Sequence, residues 1–81
     1  MSNTDKLTAA FSNALGIRKE KINDQLSYQS IVQWDSMAHM VLVTEIEDTF
    51  SIQIEDKDII QMDTFLNIKQ LLVKYSVHFD S

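Results

Sequence analysis

The apolar residues of this chain recur at the spacing of one helical face in three places. They fall at positions 7, 10, 11, 14 and 15, at positions 42, 43, 46 and 50, and at positions 65, 68, 71, 72 and 75. This spacing predicts amphipathic helices that bury one stripe against a shared core. We predict a first helix over about Thr4–Leu15, with Asn3 or Thr4 as its N-cap, and a second from Ser36 through residue 50. Gly16 fits the position where the chain leaves the first helix.

The segments between these helices lack a sustained period. Residues 17–35 carry only spaced apolar anchors, including Tyr28 and Trp34, which predicts a long loop pinned by its side chains. Residues 51–54 alternate like a strand but have no second strand to pair with, so we predict an extended connector with Ile54 facing inward. Two isoleucines behind three acids predict a short helix within residues 55–62, and Thr64 is a suitable cap for the last helix. We expect a polar tail over residues 76–81.

These elements predict an all-α fold, a four-helix bundle of three main helices and one short helix with a long first loop. We expect a single domain over residues 1–81, because a chain with no proline and only one glycine has no segment that resembles an interdomain linker. Apolar residues make up 44% of the chain and charged residues 23%, which is typical of a globular domain rather than a disordered segment.

The net charge of −5 is concentrated in the middle of the chain. Residues 35–63 carry eight acids and one base, whereas residues 1–34 carry three acids and four bases. This distribution argues against nucleic-acid partners and favours partners with basic patches, although an acidic face kept for solubility is the alternative. No apolar run is long enough to span a bilayer, and the first residues do not resemble a secretory leader, so we expect a cytoplasmic protein. We also expect it to be a monomer.

Familiar catalytic and metal sites are hard to find in this sequence. It has no cysteine, two histidines and no glycine-rich phosphate loop. Asp35, Ser36 and His39 have the residue types of a hydrolytic triad, but three groups within one turn cannot easily align as nucleophile, base and orienter. Asp56 and Asp58 are similar to the first two ligands of a calcium loop, but the residues that follow them here do not supply the next oxygen ligand or the glycine of such a loop. We therefore predict neither an enzyme nor a metal site.

The segment Trp34-Asp35-Ser36-Met37 opens the second predicted helix, which ends in Glu-Ile-Glu-Asp-Thr-Phe. An Asp-Ser pair followed by a large aliphatic residue at the start of such a helix resembles the attachment motif of acyl and peptidyl carrier proteins. The resemblance extends over nearly the whole chain, from the first helix and Gly16 through the long loop, the motif and the short helix to the last helix.

The resemblance implies that a phosphopantetheinyl transferase moves 4′-phosphopantetheine from coenzyme A onto Ser36, with Asp35 and Met37 completing the cofactor-binding motif. The arm would supply the thiol that a chain without cysteine lacks. A phosphate at a helix N-terminus meets backbone N–H groups and the positive end of the helix dipole, and Asp35 could cap the same turn. Ser36 as an ordinary N-cap residue is the alternative.

The resemblance also implies a carrier that holds acyl intermediates as thioesters and presents them to acyl-loading and acyl-transferring enzymes with basic patches. The residues that would recognise these partners are Met40, Glu45, Glu47, Asp48 and Asp56. Met37 and Met40 could equally belong to the core. We expect His39 to be an exposed helix residue and assign no role to it, to Tyr28 or to Trp34. A peptidyl or aminoacyl carrier and an unmodified acidic helical adaptor are the rival functions.

Overall fold

The computed structural model describes residues 2–79, and these residues confirm the predicted all-α fold. A single isolated antiparallel bridge, between Ser27 and Thr64, is the only strand-like pairing in that range. Two short 3-10 turns accompany the helices. The helices are α1 (Asn3–Leu15), α2 (Ser36–Phe50), α3 (Asp56–Ile59) and α4 (Phe65–Leu72), and the 3-10 turns cover Lys19–Lys21 and Val73–Tyr75.

The first helix begins one residue before the predicted start. Ser2 is its N-cap, with its hydroxyl accepting a hydrogen bond from the backbone N–H of Asp5 at 3.1 Å. The prediction of Asn3 or Thr4 as the cap was therefore wrong, and the Asn3 amide instead donates to the carbonyl of His78 at 2.8 Å. Gly16 ends the helix as predicted, with φ of 66° in the left-handed region that favours glycine.

One cluster of buried side chains from α1, α2, α4 and the connecting loops forms the core. Phe11 lies near its centre and packs edge-on against Trp34 and Phe65, with ring centroids 5.3 and 4.9 Å apart. Burying an aromatic or large aliphatic side chain of this kind contributes about 1.5–3 kcal/mol. The predicted anchor Trp34 is completely buried, which confirms that side chains pin the long loop.

The long loop is also held to α4 by polar contacts. The Leu26 carbonyl accepts from the N–H of Phe65 at 2.9 Å, and the N–H of Tyr28 donates to the Asp63 carbonyl at 2.8 Å. The buried Lys69 ammonium pairs with Asp24 at 2.8 Å and lies 5.3 Å from the centre of the Phe65 ring. These contacts fix the segment that leads into α2. The loop also contains the 3-10 turn, which the sequence did not predict.

The chain after α2 follows the predicted course up to α4. Ser51 ends α2 in the left-handed region, residues 51–54 form a connector without strand pairing, and Ile54 is buried as predicted. The predicted polar tail was wrong in part, because Val77 is buried and Phe79 packs against Phe50 with ring centroids 6.3 Å apart. Residues 80 and 81 of that tail lie outside the described range. No helix within residues 2–79 is long and apolar enough to cross a membrane.

Candidate functional site

The start of α2 presents Ser36 to solvent. Asp35 precedes it in an extended conformation and is the N-cap, with its carboxylate accepting the N–H of Ala38 at 2.8 Å. The carbonyl of Asp35 accepts the N–H of His39, also at 2.8 Å. The predicted capping role of Asp35 is confirmed. Because the cap belongs to Asp35, the Ser36 hydroxyl is not needed to begin the helix.

The Ser36 hydroxyl forms a hydrogen bond with the hydroxyl of Tyr28, with the two oxygens 2.8 Å apart. Tyr28 comes from the long loop, and its ring packs against Trp34 and His39 with centroids 6.2 and 5.3 Å apart. The sequence pattern identified Tyr28 as an anchor but gave no sign of this contact. The structure therefore brings an exposed serine and a fixed tyrosine hydroxyl together.

His39 is half-buried, so the prediction of an exposed helix residue was wrong. The indole N–H of Trp34 donates to its Nδ1 at 3.0 Å, and its Nε2 lies 3.1 Å from the carbonyl oxygen of Ile59. Because indole can only donate, Nδ1 accepts, and the neutral ring carries its proton on Nε2 for the Ile59 carbonyl. Both ring nitrogens are thus occupied, which leaves His39 without a free nitrogen to act as a base for Ser36.

The position of His39 on α2 explains its burial. It lies three, four and seven residues before Leu42, Val43 and Ile46, which are the buried stripe of the helix. The phase of the apolar pattern could therefore have predicted that His39 faces inward.

A mainly apolar groove opens beside Ser36, between α2 and the end of α3. Its volume is about 400 Å³. Most of its lining side chains are aliphatic, sulfur-containing or aromatic, and a few polar groups lie among them. The lining residues are Tyr28, Ser36, His39, Met40, Ile59, Ile60, Met62 and Asp63.

Several large apolar side chains are exposed rather than buried, and two of them, Met40 and Ile60, line this groove. Met37 is 81% exposed, Ile60 80% and Met40 54%, so neither methionine belongs to the core. Val32 and Val41 are also exposed. Exposed apolar side chains such as Met40 and Ile60, which border one groove, are typical of a contact surface.

Residues 5–72 match the family described as "Phosphopantetheine attachment site". The chain belongs to this family. The match spans α1 to α4, and members of the family carry a 4′-phosphopantetheine prosthetic group. The protein is thus a phosphopantetheine-bearing carrier domain, from a family whose domains are generally carriers rather than catalysts.

The residues at the start of α2 fit such a group. A phosphodiester needs an exposed hydroxyl as its attachment point, and Ser36 is exposed at the first residue of a 15-residue helix. The N-terminal end of a helix favours a negative charge. The neighbouring groove offers apolar surface to whatever the arm carries.

The acidic residues of the carrier domain differ in how far they are free to meet a partner. Asp48 and Asp56 are exposed, and Glu45 is half-buried. Glu47 is half-buried as well, and its carboxylate accepts the N–H of Ile54 at 2.8 Å, which ties the connector to α2. Glu47 therefore has a contact within the fold that the sequence did not reveal.

A polar cluster holds the short helix α3 against the C-terminal turn. The Lys74 ammonium donates to the buried carboxylate of Asp58 at 2.8 Å, and the Tyr75 hydroxyl donates to its other oxygen. The Tyr75 hydroxyl also accepts the N–H of Glu55 at 3.0 Å. Asp58 is thus committed to contacts inside the protein, which argues further against a calcium loop at this segment.

These contacts shift the ionisation of all three side chains. The hydrogen bond from Lys74, followed by that from Tyr75, lowers the pKa of Asp58 below its ordinary 3.8. The hydrogen bond to Asp58 raises the pKa of Lys74 above 10.5. Burial, together with the hydrogen bond to Asp58, raises the pKa of Tyr75 above 10.0. The cluster is therefore ionised at Asp58 and Lys74 across the physiological range.

Proposed function

We propose that this protein is an acyl carrier protein whose 4′-phosphopantetheine arm is attached to Ser36. The observation that supports this assignment best is the exposed Ser36 hydroxyl at the start of α2. Asp35 caps this helix, and the apolar groove borders the hydroxyl. Among the serines of α2 and its flanks, Ser36 alone follows an aspartate and precedes a large aliphatic residue, here Met37.

The role of Ser36 in attachment is that of a nucleophile presented to the transferase. Its O–H bond breaks and an Oγ–P bond forms, while the P–O bond of the coenzyme A pyrophosphate breaks. Adenosine 3′,5′-bisphosphate leaves with the electron pair of that bond, and a base on the transferase takes the serine proton. Once attached, the arm supplies a thiol for thioester formation and a long reach that raises the effective concentration of cargo at partner active sites.

An acyl cargo is favoured by the character of the groove beside Ser36. Apolar side chains such as Met40, Ile59 and Ile60 dominate its lining, and burying a hydrocarbon chain there removes apolar surface from water. An aminoacyl or peptidyl cargo carries amide and ammonium groups, which lose their hydration against these apolar side chains and gain less from the groove than a hydrocarbon chain does. The peptidyl or aminoacyl carrier is therefore the second candidate.

The surface for partner enzymes combines Met37 and Met40 with the acidic residues Asp48 and Asp56. Exposed thioethers adapt to different apolar surfaces, and carboxylates attract partners with basic patches and speed their encounter. Glu45 and Glu47 belong to the same proposed surface. One carboxylate oxygen of Glu47 accepts the N–H of Ile54, so its other oxygen is the one that would meet a partner. The predicted monomeric state and cytoplasmic location stay predictions.

Attachment is tested by the intact mass of the protein after incubation with coenzyme A and a broad-specificity phosphopantetheinyl transferase. We expect one added arm on the wild type and on Ser2→Ala, which removes a serine at another helix start. We expect none on Ser36→Ala. A wild type that gains no mass beside an active control carrier would favour the unmodified adaptor, for which Ser36→Ala leaves function intact.

Cargo class is tested by loading the protein from acyl-coenzyme A and from aminoacyl-coenzyme A with the same transferase. Methyl NMR resonances of Met40 and Ile60 report on the groove in each loaded form. We expect the acyl form to shift them and the aminoacyl form to leave them as in the unloaded holo protein. Equal shifts, or shifts with the aminoacyl group alone, would favour the second candidate.

A further inference from the structure

The hydroxyl of Tyr28 is 2.8 Å from Ser36 Oγ, and this contact is not explained by the needs of the fold. Both hydroxyls lie at the exposed edge of the site, so water could replace either partner. An exposed hydrogen bond between neutral groups contributes little to stability. The contact therefore calls for an explanation in the chemistry of Ser36.

Tyr28 is held in place before any ligand arrives. Its N–H donates to the Asp63 carbonyl at 2.8 Å, and the next N–H along the chain, from Gln29, donates to the Trp34 carbonyl at 3.0 Å. Its ring packs against Trp34 and His39, and these two residues are themselves joined by a hydrogen bond. The entropy of ordering the tyrosine is thus already lost in the folded chain, so its hydroxyl can bind a ligand without that cost.

A phosphodiester on Ser36 would find no cationic partner among the described residues that line the groove. Asp35 precedes Ser36 and Asp63 lines the same groove, and none of the described residues that line the groove is a lysine or an arginine. The Ala38 N–H in the first turn already donates to Asp35. The Tyr28 hydroxyl is therefore the nearby donor, already within hydrogen-bond distance of Oγ, that a negative phosphodiester on Ser36 could use.

We propose that Tyr28 is a positioning residue for the phosphopantetheine attachment serine, with its hydroxyl donating a hydrogen bond to the phosphodiester once Ser36 is modified. Once Ser36 is esterified, its Oγ has no proton to donate, so Tyr28 must be the donor in any hydrogen bond between the two side chains. In the unmodified protein the same contact orients Ser36 Oγ for the transferase. This inference rests on the proposed attachment at Ser36.

Tyr28→Phe tests the proposal because it removes one oxygen and keeps the ring. The ³¹P NMR shift of the holo protein reports directly on the phosphodiester. We expect Tyr28→Phe to move that resonance and to lower kcat/KM of the transferase for the unmodified protein by about three- to tenfold, the effect of one hydrogen bond. Circular dichroism and the urea midpoint should stay close to the wild type.

Tyr75→Phe is the matched control, because it removes a tyrosine hydroxyl from the Asp58 cluster. It should lower the urea midpoint and leave the ³¹P resonance in place. The inference is overturned if Tyr28→Phe gains the arm at the wild-type rate with an unchanged ³¹P shift. It is equally overturned if both tyrosine variants move the resonance alike, which would point to a general loss of stability. Absence of any mass gain in the wild type would overturn the proposed attachment itself, and the inference with it.

Discussion

Trp34 donates its indole N–H to Nδ1 of His39 across 3.0 Å, which joins the long first loop to α2. The other nitrogen of His39 reaches the Ile59 carbonyl at the end of α3. Three segments of the chain therefore meet at one imidazole, which lines the groove next to Ser36. The geometry of the proposed attachment site depends on this meeting point, although none of its three residues needs to touch the arm.

Removing the imidazole should destabilise the protein, because the buried Trp34 N–H would lose its acceptor. We expect His39→Leu to lower the free energy of unfolding by about 1–3 kcal/mol, the cost of an unsatisfied buried donor. His39→Asn should lose less, since its amide oxygen can accept near the position of Nδ1. Urea unfolding followed by Trp34 fluorescence measures both. His78→Leu, at an exposed side chain, is the control, and an equal loss there would contradict this explanation.

The Asp58 cluster predicts a specific pH dependence. The pKa of Asp58 is lower in the folded protein than its ordinary 3.8, so the ionised carboxylate stabilises the fold above that pH. This stabilisation is lost as the pH falls from 3.8 through the lower pKa of the folded state. We expect Asp58→Asn to be less stable than the wild type at pH 7, with the two converging in acid.

Urea unfolding of both proteins between neutral and strongly acidic pH measures this convergence. Asp56→Asn is the matched control, because Asp56 lies in the same short helix but is exposed. It should follow the wild-type curve. A constant difference between Asp58→Asn and the wild type at every pH would show that the carboxylate charge is not what stabilises the cluster.

Patterns that depend on neighbours along the chain were predicted well from the sequence. The apolar stripe of α2, the end of α1 at Gly16, the cap at Asp35 and the buried Trp34 all follow from local spacing and residue type. The match to the phosphopantetheine attachment family agrees with the motif around Ser36.

Contacts between distant segments were not predicted, because helical periodicity does not specify which side chains meet. Tyr28 with Ser36, Asp58 with Lys74, and Asn3 with the His78 carbonyl all belong to this class. A polar residue in phase with an apolar stripe was the missed signal for His39 on α2. The same signal applies to Lys69 on α4, which is buried beside Phe65 and Ile68 and pairs with the loop.

Gly16 should be required for its backbone conformation rather than for space. Its φ is 66°, and a Cβ at this position would meet no atom within 4 Å. Gly16→Ala should therefore cost about 1 kcal/mol, as strain in the left-handed region partly offset by a less flexible unfolded chain. Gly16→Asn should cost less. Thermal unfolding checks both variants beside Asn13→Ala at an exposed helix position, and a neutral Gly16→Ala would refute the strain argument.

Reversing exposed acidic charges should weaken the encounter with the transferase. We expect Asp48→Lys and Asp56→Lys each to raise KM for the unmodified protein by about two- to fivefold, the size of an exposed ion pair. The effect should shrink at about 1 M salt, where the Debye length is about 3 Å. Steady-state kinetics provide the measurement.

Glu20→Lys makes the same charge change in the 3-10 turn of the long loop, at a residue that is not part of the proposed surface, and should leave KM close to the wild type. Three variants with equal KM values would mean that total charge, and not the position of Asp48 and Asp56, governs the encounter.

The central claim is that Ser36 bears the arm, and tandem mass spectrometry of the modified protein tests it most directly. Trypsin releases residues 22–57 as one peptide, which contains Ser27, Ser30, Ser36 and Ser51. We predict that fragment ions place the whole added mass on Ser36. An arm on another serine, or a peptide that stays unmodified beside an active control carrier, would contradict the account.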